Sequence, residues 1–123
     1  MPKRVLIVDD SATVRQQVRA ALASVEFEVF EASDGAEGAE TIGRLTDLAA
    51  VICDVNMPRM TGLEMLEVVK KDPRHTSLPI VMLTTEGQHS LMQRARAAGA
   101  KGWIVKPFKP DLLLAAIRKI TTA

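Results

Sequence analysis

Cysteine is nearly absent from this 123-residue chain: Cys53 stands alone, and tyrosine is missing altogether. One thiol cannot close an intramolecular disulfide, and it leaves no basis for a zinc site built from cysteines. Cys53 lies inside an apolar run, where packing rather than redox chemistry is the expected role. Charge of one sign is lacking too. Sixteen Lys and Arg against fifteen Asp and Glu leave a net +1, which names neither nucleic acid nor an anionic membrane as an electrostatic partner. The apolar runs fall far short of the ~20 residues that a membrane span requires. Met1-Pro2-Lys3-Arg4 leads into a short apolar run without signal-peptide architecture. The expected compartment is therefore the cytoplasm. No His-x-x-x-His or similar spacing is present; His75, after a proline turn, and His89, opening a helix, are expected to be solvated.

What is present suits one domain, residues 1–123, of ordinary globular composition: 47% hydrophobic and 25% charged. Its organising stretch is Val51-Ile52-Cys53-Asp54-Val55-Asn56-Met57-Pro58-Arg59-Met60-Thr61-Gly62. An apolar run without alternation stops on a carboxylate, as a strand buried on both faces would. Chemistry in parallel sheets collects beyond the carboxyl ends of such strands.

Four further strand-like runs are present, and helices separate them. Val5-Leu6-Ile7-Val8 stops at Asp9-Asp10, and Ser11 caps a helix with Val14, Val18, Ala21, Leu22 and Val25 on one face. Phe27 to Glu31 alternates, with Phe27, Val29 and Ala32 set against Glu28 and Glu31. Asp34 caps a helix over Gly35 to Arg44, expected to be weak or short because Gly38 and Gly43 each cost ~1 kcal/mol. Leu48 to Cys53 forms the central strand, and Thr61 to Lys71 a helix with Leu63, Leu66, Val68 and Val69 inward. Asp72-Pro73-Arg74-His75 breaks it. A strand over Leu78 to Leu83 ends in Thr84-Thr85, and a helix over Gln88 to Ala98 closes at Gly99. Gly102 to Val105 stops at Lys106-Pro107, and Pro110 opens a last helix to Ile120. Alternation of this kind predicts an α/β fold with a parallel sheet.

Parallel strands bring their ends to one edge, so Asp9, Asp10, Asp54, Thr84 and Lys106 can share a pocket. Taken singly, each has a duller account: the first two as helix caps, Asp54 as a turn residue, Thr84 as a strand terminus and Lys106 as a solvated lysine. Together they match a chemistry. Clustered carboxylates need a cation among them, and a hard divalent ion such as Mg²⁺ suits oxygen ligands. A hydroxyl and an ammonium suit the equatorial oxygens of a phosphoryl group. The residues point to metal-assisted phosphoryl transfer onto Asp54.

From Val5-Leu6-Ile7-Val8-Asp9-Asp10-Ser11 through Asp54-Val55-Asn56-Met57-Pro58 and Thr84 to Lys106-Pro107-Phe108, the chain resembles the receiver domain of two-component response regulators, in particular the single-domain CheY-like family. The resemblance implies a flavodoxin-like (βα)5 doubly wound fold, five parallel strands in the order 2-1-3-4-5. It implies that Asp54 accepts phosphate from a histidine kinase, that Asp9, Asp10, Asp54 and the Asn56 carbonyl hold Mg²⁺, and that Asp10 is a more direct ligand than Asp9. Thr84 and Lys106 would meet the phosphoryl oxygens, and the Lys106-Pro107 bond would be cis. Trp103 falls where the family carries an aromatic switch residue coupled to Thr84. Asn56, Thr85 and Glu86 fall where phosphate lifetime is tuned; Thr85 departs from the usual Ala or Gly, and a slower loss of phosphate is expected from it.

The implied function is a stand-alone phosphoacceptor switch, chemotaxis-type, that changes its binding to a partner protein. It would not be an enzyme beyond its own phosphorylation and dephosphorylation. The alternative is a phosphorelay intermediate that passes phosphate to a histidine phosphotransfer protein. A phosphohydrolase would need a second carboxylate two residues after its nucleophile, where Asn56 stands. An FMN module would need a Gly- or Ser/Thr-rich phosphate loop after the first strand, which is lacking. Only Thr121-Thr122-Ala123 follow Ile120, so output is expected through another protein: a motor-switch-like or other effector, with a phosphatase as a further partner. Nucleic acid and membrane are not expected partners. A monomer is expected, with a dimer through the last helix as the alternative; Leu112, which one helical face cannot bury alongside Leu113 and Leu114, is expected to stay exposed.

Overall fold

A computed structural model describes residues 2–85 and 87–122. Its elements run β1 (Lys3–Val8), α1 (Ala12–Ala21), β2 (Phe27–Ala32), α2 (Gly35–Arg44), β3 (Leu48–Cys53), α3 (Gly62–Lys70), a 3-10 turn (Pro73–His75), β4 (Ile80–Thr84), α4 (His89–Ala97), β5 (Gly102–Val105) and α5 (Pro110–Thr121). The five strands pair in parallel, in the order β2-β1-β3-β4-β5. The fold is thus the α/β, flavodoxin-like one expected. The chain leaves β1 for one flank and returns to the other at β3, so the crevice between those strands is a topological switch point.

Side chains along each inner strand alternate between two cores. Leu6, Val8, Val51, Cys53, Ile80 and Met82 pack with Ile42 of α2, Leu63, Met65, Leu66 and Val69 of α3 and Ala95 of α4. Val5, Ile7, Ala50, Ile52 and Leu83 pack with Val18 and Leu22 at α1 and with Leu113 and Ile117 of α5. Both faces of the sheet are covered, which is why its central strands read as continuous apolar runs.

Several local expectations needed correction. Helix α1 ends at Ala21, so Val25 lies beyond it and is 96% exposed instead of joining the apolar face. In β2, Phe27 and Val29 face α1 and α5, whereas Phe30 and Ala32 face the other core; period-two geometry cannot put Ala32 beside Phe27. In α3 the inward residue missed was Met65, while Val68 is half exposed. Helix α2 is not shortened. Gly38 sits where a Cβ would lie 2.8 Å from Met65 Sδ and 2.9 Å from Val8 Cγ1, so its glycine allows close packing onto β1. Strand β4 begins two residues later than expected and includes Thr84. His75 is largely buried, not solvated: its Nδ1 lies 3.8 Å from Asp72 Oδ2 and, among the described residues, has no hydrogen-bond partner. The caps at Ser11 and Asp34, the positive φ of Gly99 (107°), the exposure of His89 and the 61% exposure of Leu112 agree with the sequence. Among the described residues, no helix is long and apolar enough to cross a membrane.

Candidate functional site

Asp9 and Asp54 are the first residues past β1 and β3, and their backbones still belong to the ladder. Asp9 N–H donates to the Ala32 carbonyl (3.0 Å) and Asp54 N–H to the Val8 carbonyl (2.9 Å). Their position is therefore fixed by the sheet. Asp9 is fully buried and Asp54 nearly so, while Asp10, one residue on, is exposed. Carboxylate oxygens of Asp9, Asp10 and Asp54 all lie within 4.8 Å of one another.

The Lys106 ammonium reaches into this cluster. Lys106, directly after β5, donates to Asp9 Oδ2 (2.8 Å) and to Asp54 Oδ2 (3.2 Å). Its backbone N–H is bound to the Thr84 carbonyl (2.8 Å), which ties the ends of β4 and β5 together. The Lys106–Pro107 bond is cis. The remaining oxygens of the buried pair are met by main chain: Ser11 N–H donates to Asp9 Oδ1 (2.9 Å) and Val55 N–H to Asp54 Oδ1 (2.7 Å). Arg15 adds a bond to the Asp9 carbonyl (2.7 Å), a contact that sequence reading missed; its spacing from Ser11 on α1 was the available signal.

Burial pushes the Asp9 carboxyl above the usual carboxylate range, opposed by the Lys106 hydrogen bond and the Ser11 N–H. For Lys106, burial works against the charged form, but the hydrogen bond to Asp9 and the charges of Asp54 and Asp9 outweigh it and raise its pKa. Burial also pushes the Cys53 thiol far up, with the charges of Asp54 and Asp9 adding to the effect. That residue is a packing element against Met65 (3.9 Å), not a reactive thiol.

The other expected residues fall around the same edge. Thr84 is fully buried at the end of β4, and Thr85 is exposed beside it. Asn56 is exposed in the β3–α3 loop. Trp103 is half-buried on β5 and lies opposite Met82, two register steps from the Val105–Thr84 pair, so it shares a sheet face with Thr84. Glu86 lies outside the described residues. The donor set fits a hard divalent cation: three carboxylates converge, one ammonium cannot neutralise them all, and Asp10 opens to solvent.

Comparison with known proteins agrees with this geometry. The family model for the response regulator receiver domain matches residues 5–118. The chain is 40% identical over 111 residues to the chemotaxis protein CheY1 of Helicobacter pylori, covering 89% of this chain and 90% of that protein. It is 37% identical to the CheY homolog of Campylobacter jejuni, covering 89% and 85%. Among solved structures, chemotaxis protein CheY4 of Vibrio cholerae superimposes with a TM-score of 0.90 at 39% identity, over 98% of this chain and 99% of that one.

Proposed function

Because the chain belongs to the response regulator receiver domain family, we propose that it is a stand-alone phosphoacceptor switch of the chemotaxis type, its residues 1–123 forming one receiver domain. The observation that carries the reading is the Lys106 ammonium shared between Asp9 and Asp54 at the sheet's switch point. Chemotaxis is preferred to a phosphorelay because the curated relatives above bear that name.

An Asp54 carboxylate oxygen attacks the phosphorus of a histidine kinase's phosphohistidine. The P–O bond forms as the P–N bond breaks, and the imidazole leaves with the electron pair. Asp9, Asp10, Asp54 and the Asn56 main-chain carbonyl would hold Mg²⁺, which supplies Lewis-acid neutralisation of the transferring phosphoryl group. Lys106 needs only to turn from the carboxylates to pair with a phosphoryl oxygen, and the Thr84 hydroxyl donates to another. Asn56, Thr85 and Glu86 limit the access of water and so set how long the acyl phosphate lasts.

Movement at Thr84 makes room for Trp103 to turn inward, which re-sorts the surface of α4, β5 and α5. An effector protein binds that rearranged surface more tightly, so the output is a population shift. Val105 and Leu112, 49% and 61% exposed, offer it apolar contacts. The protein acts as a cytoplasmic monomer, catalyses only its own phosphorylation and dephosphorylation, and has a kinase, an effector and a phosphatase as partners.

The test is incubation with Mg²⁺ and acetyl phosphate, followed by intact mass, with Asp54→Asn as control. Gain of one phosphoryl mass by the wild type alone supports the reading. Equal gain by the control would move the acceptor elsewhere. No gain in the wild type, with acetyl phosphate or with a histidine kinase, would sink it.

A further inference from the structure

Among the described residues, Arg59 is the one non-glycine residue with positive φ (67°), and it stands in the loop between Asp54 and α3. A side chain there meets steric resistance. Met60 N–H donates to the Pro58 carbonyl (2.8 Å), closing a three-residue turn around Arg59. Such a conformation persists only where its surroundings over-determine it.

The surroundings are supplied by the N-terminus of α2. Arg59 Nη2 lies 2.9 Å from Asp34 Oδ1, and Gly35 N–H donates to the Met60 carbonyl (3.2 Å). Asp34 is a firm anchor: it is buried, and it caps α2 by accepting from Glu37 N–H (2.8 Å). The Arg59 hydrogen bond, then the Glu37 N–H, hold its carboxyl below the usual range. The flanks are equally tight. A Cβ at Gly35 would overlap the Met60 carbonyl, and one at Gly62 would overlap the Asp54 carbonyl. Gly62 N–H in turn donates to Val55 O (2.9 Å). The loop carrying Asn56 is thus registered against α2, which is itself seated on Val8 and Met65 through Gly38.

We propose that Arg59 is a positioning residue: its ion pair to the α2 cap holds the strained turn at residues 58–60 and so places the Asn56 carbonyl toward the carboxylate cluster. The inference rests on the Mg²⁺-dependent reading of the site given above. Charge alone predicts the opposite behaviour. Removing a cation from the neighbourhood of three carboxylates favours another cation there, whereas loosening the turn withdraws an oxygen ligand from it.

The experiment is Mg²⁺ binding by isothermal titration calorimetry on wild type, Arg59→Ala, Arg59→Gly and Arg59→Lys. The Mg²⁺ dependence of acetyl phosphate labelling is read by mass on the same four proteins. Arg59→Ala is expected to weaken Mg²⁺ binding about tenfold, as loss of a ligand-orienting contact does. The Mg²⁺ concentration for half-maximal labelling rises by the same factor, while the rate at saturating Mg²⁺ stays near wild type. Arg59→Lys restores most of the affinity. Arg59→Gly falls between Lys and Ala, because glycine adopts positive φ without the steric penalty. Unchanged or tighter binding by Arg59→Ala, with wild type binding normally, overturns the positioning role and leaves the site intact. Wild type that binds no Mg²⁺ overturns both. Should Arg59→Ala fail to fold, equal affinities for the Gly and Lys variants would overturn the proposal.

Discussion

Lys106 and Asp9 form an ion pair at 2.8 Å across 97 residues of sequence, with Asp54 Oδ2 3.2 Å from the same ammonium. The protein's own lysine thus occupies part of the space in which an added cation would act. Replacing it by methionine removes a competing charge. Mg²⁺ should bind Lys106→Met more tightly, by roughly tenfold or about 1.4 kcal/mol, as calorimetry would show. Weaker binding would mean instead that Lys106 orders the carboxylates.

Asp9 should make the metal-free protein less stable at neutral pH. Its folded pKa is raised, chiefly by burial, so the folded state holds its proton more firmly than the unfolded state does. The stability this contributes is complete below the ordinary value of 3.8 and is lost as pH rises through the raised folded value. In EDTA at pH 7, Asp9→Asn should therefore be more stable than the wild type in urea unfolding. That gain should shrink as the pH is lowered toward 4; a gain that grows instead would reverse the assignment.

Gly38 and Gly43 of α2 should respond oppositely to alanine. At Gly38 the new Cβ meets Met65 Sδ and Val8 Cγ1 inside 3 Å, whereas at Gly43 nothing lies within 4 Å. Gly38→Ala should destabilise by about 1–3 kcal/mol through overpacking. Gly43→Ala should stabilise by up to about 1 kcal/mol through helix propensity. Thermal unfolding of the pair checks the signs.

Thr85 is exposed next to buried Thr84. If its bulk shields the acyl phosphate, Thr85→Ala should lose phosphate several-fold faster after the donor is removed, a change of roughly 1 kcal/mol in barrier. Decay followed by intact mass would show it. Equal lifetimes would assign the lifetime to other residues.

Much of the fold was legible because buried parallel strands leave a strong local trace. The limits of β3 and β5 were readable as apolar runs between turn residues, and Asp34 and Ser11 announced the helices they cap. Less legible was the direction in which residues face. Phe30 and Ala32 turn to one core while Phe27 and Val29 turn to the other, because both faces of this edge strand are covered and apolar residues are acceptable on each. Helix phase was misjudged at Met65 and Val68 for a related reason: neighbouring apolar residues in α3 compete for one buried stripe. His75, in the 3-10 turn, keeps only 14% of its side-chain exposure, which no short-range pattern records.

The sequence by itself determined the order of the elements and the identity of the residues at the strand ends, since hydrophobic periodicity and capping chemistry act over a few residues. Parallel pairing then had to bring Asp9, Asp54, Thr84 and Lys106 to one edge. Only the tertiary structure decided how they are partnered. The sharing of Lys106 between Asp9 and Asp54, and the bond from Arg59 to Asp34, join side chains far apart in sequence. Such contacts depend on where sheet twist and helix packing place each loop, distances that local sequence does not encode.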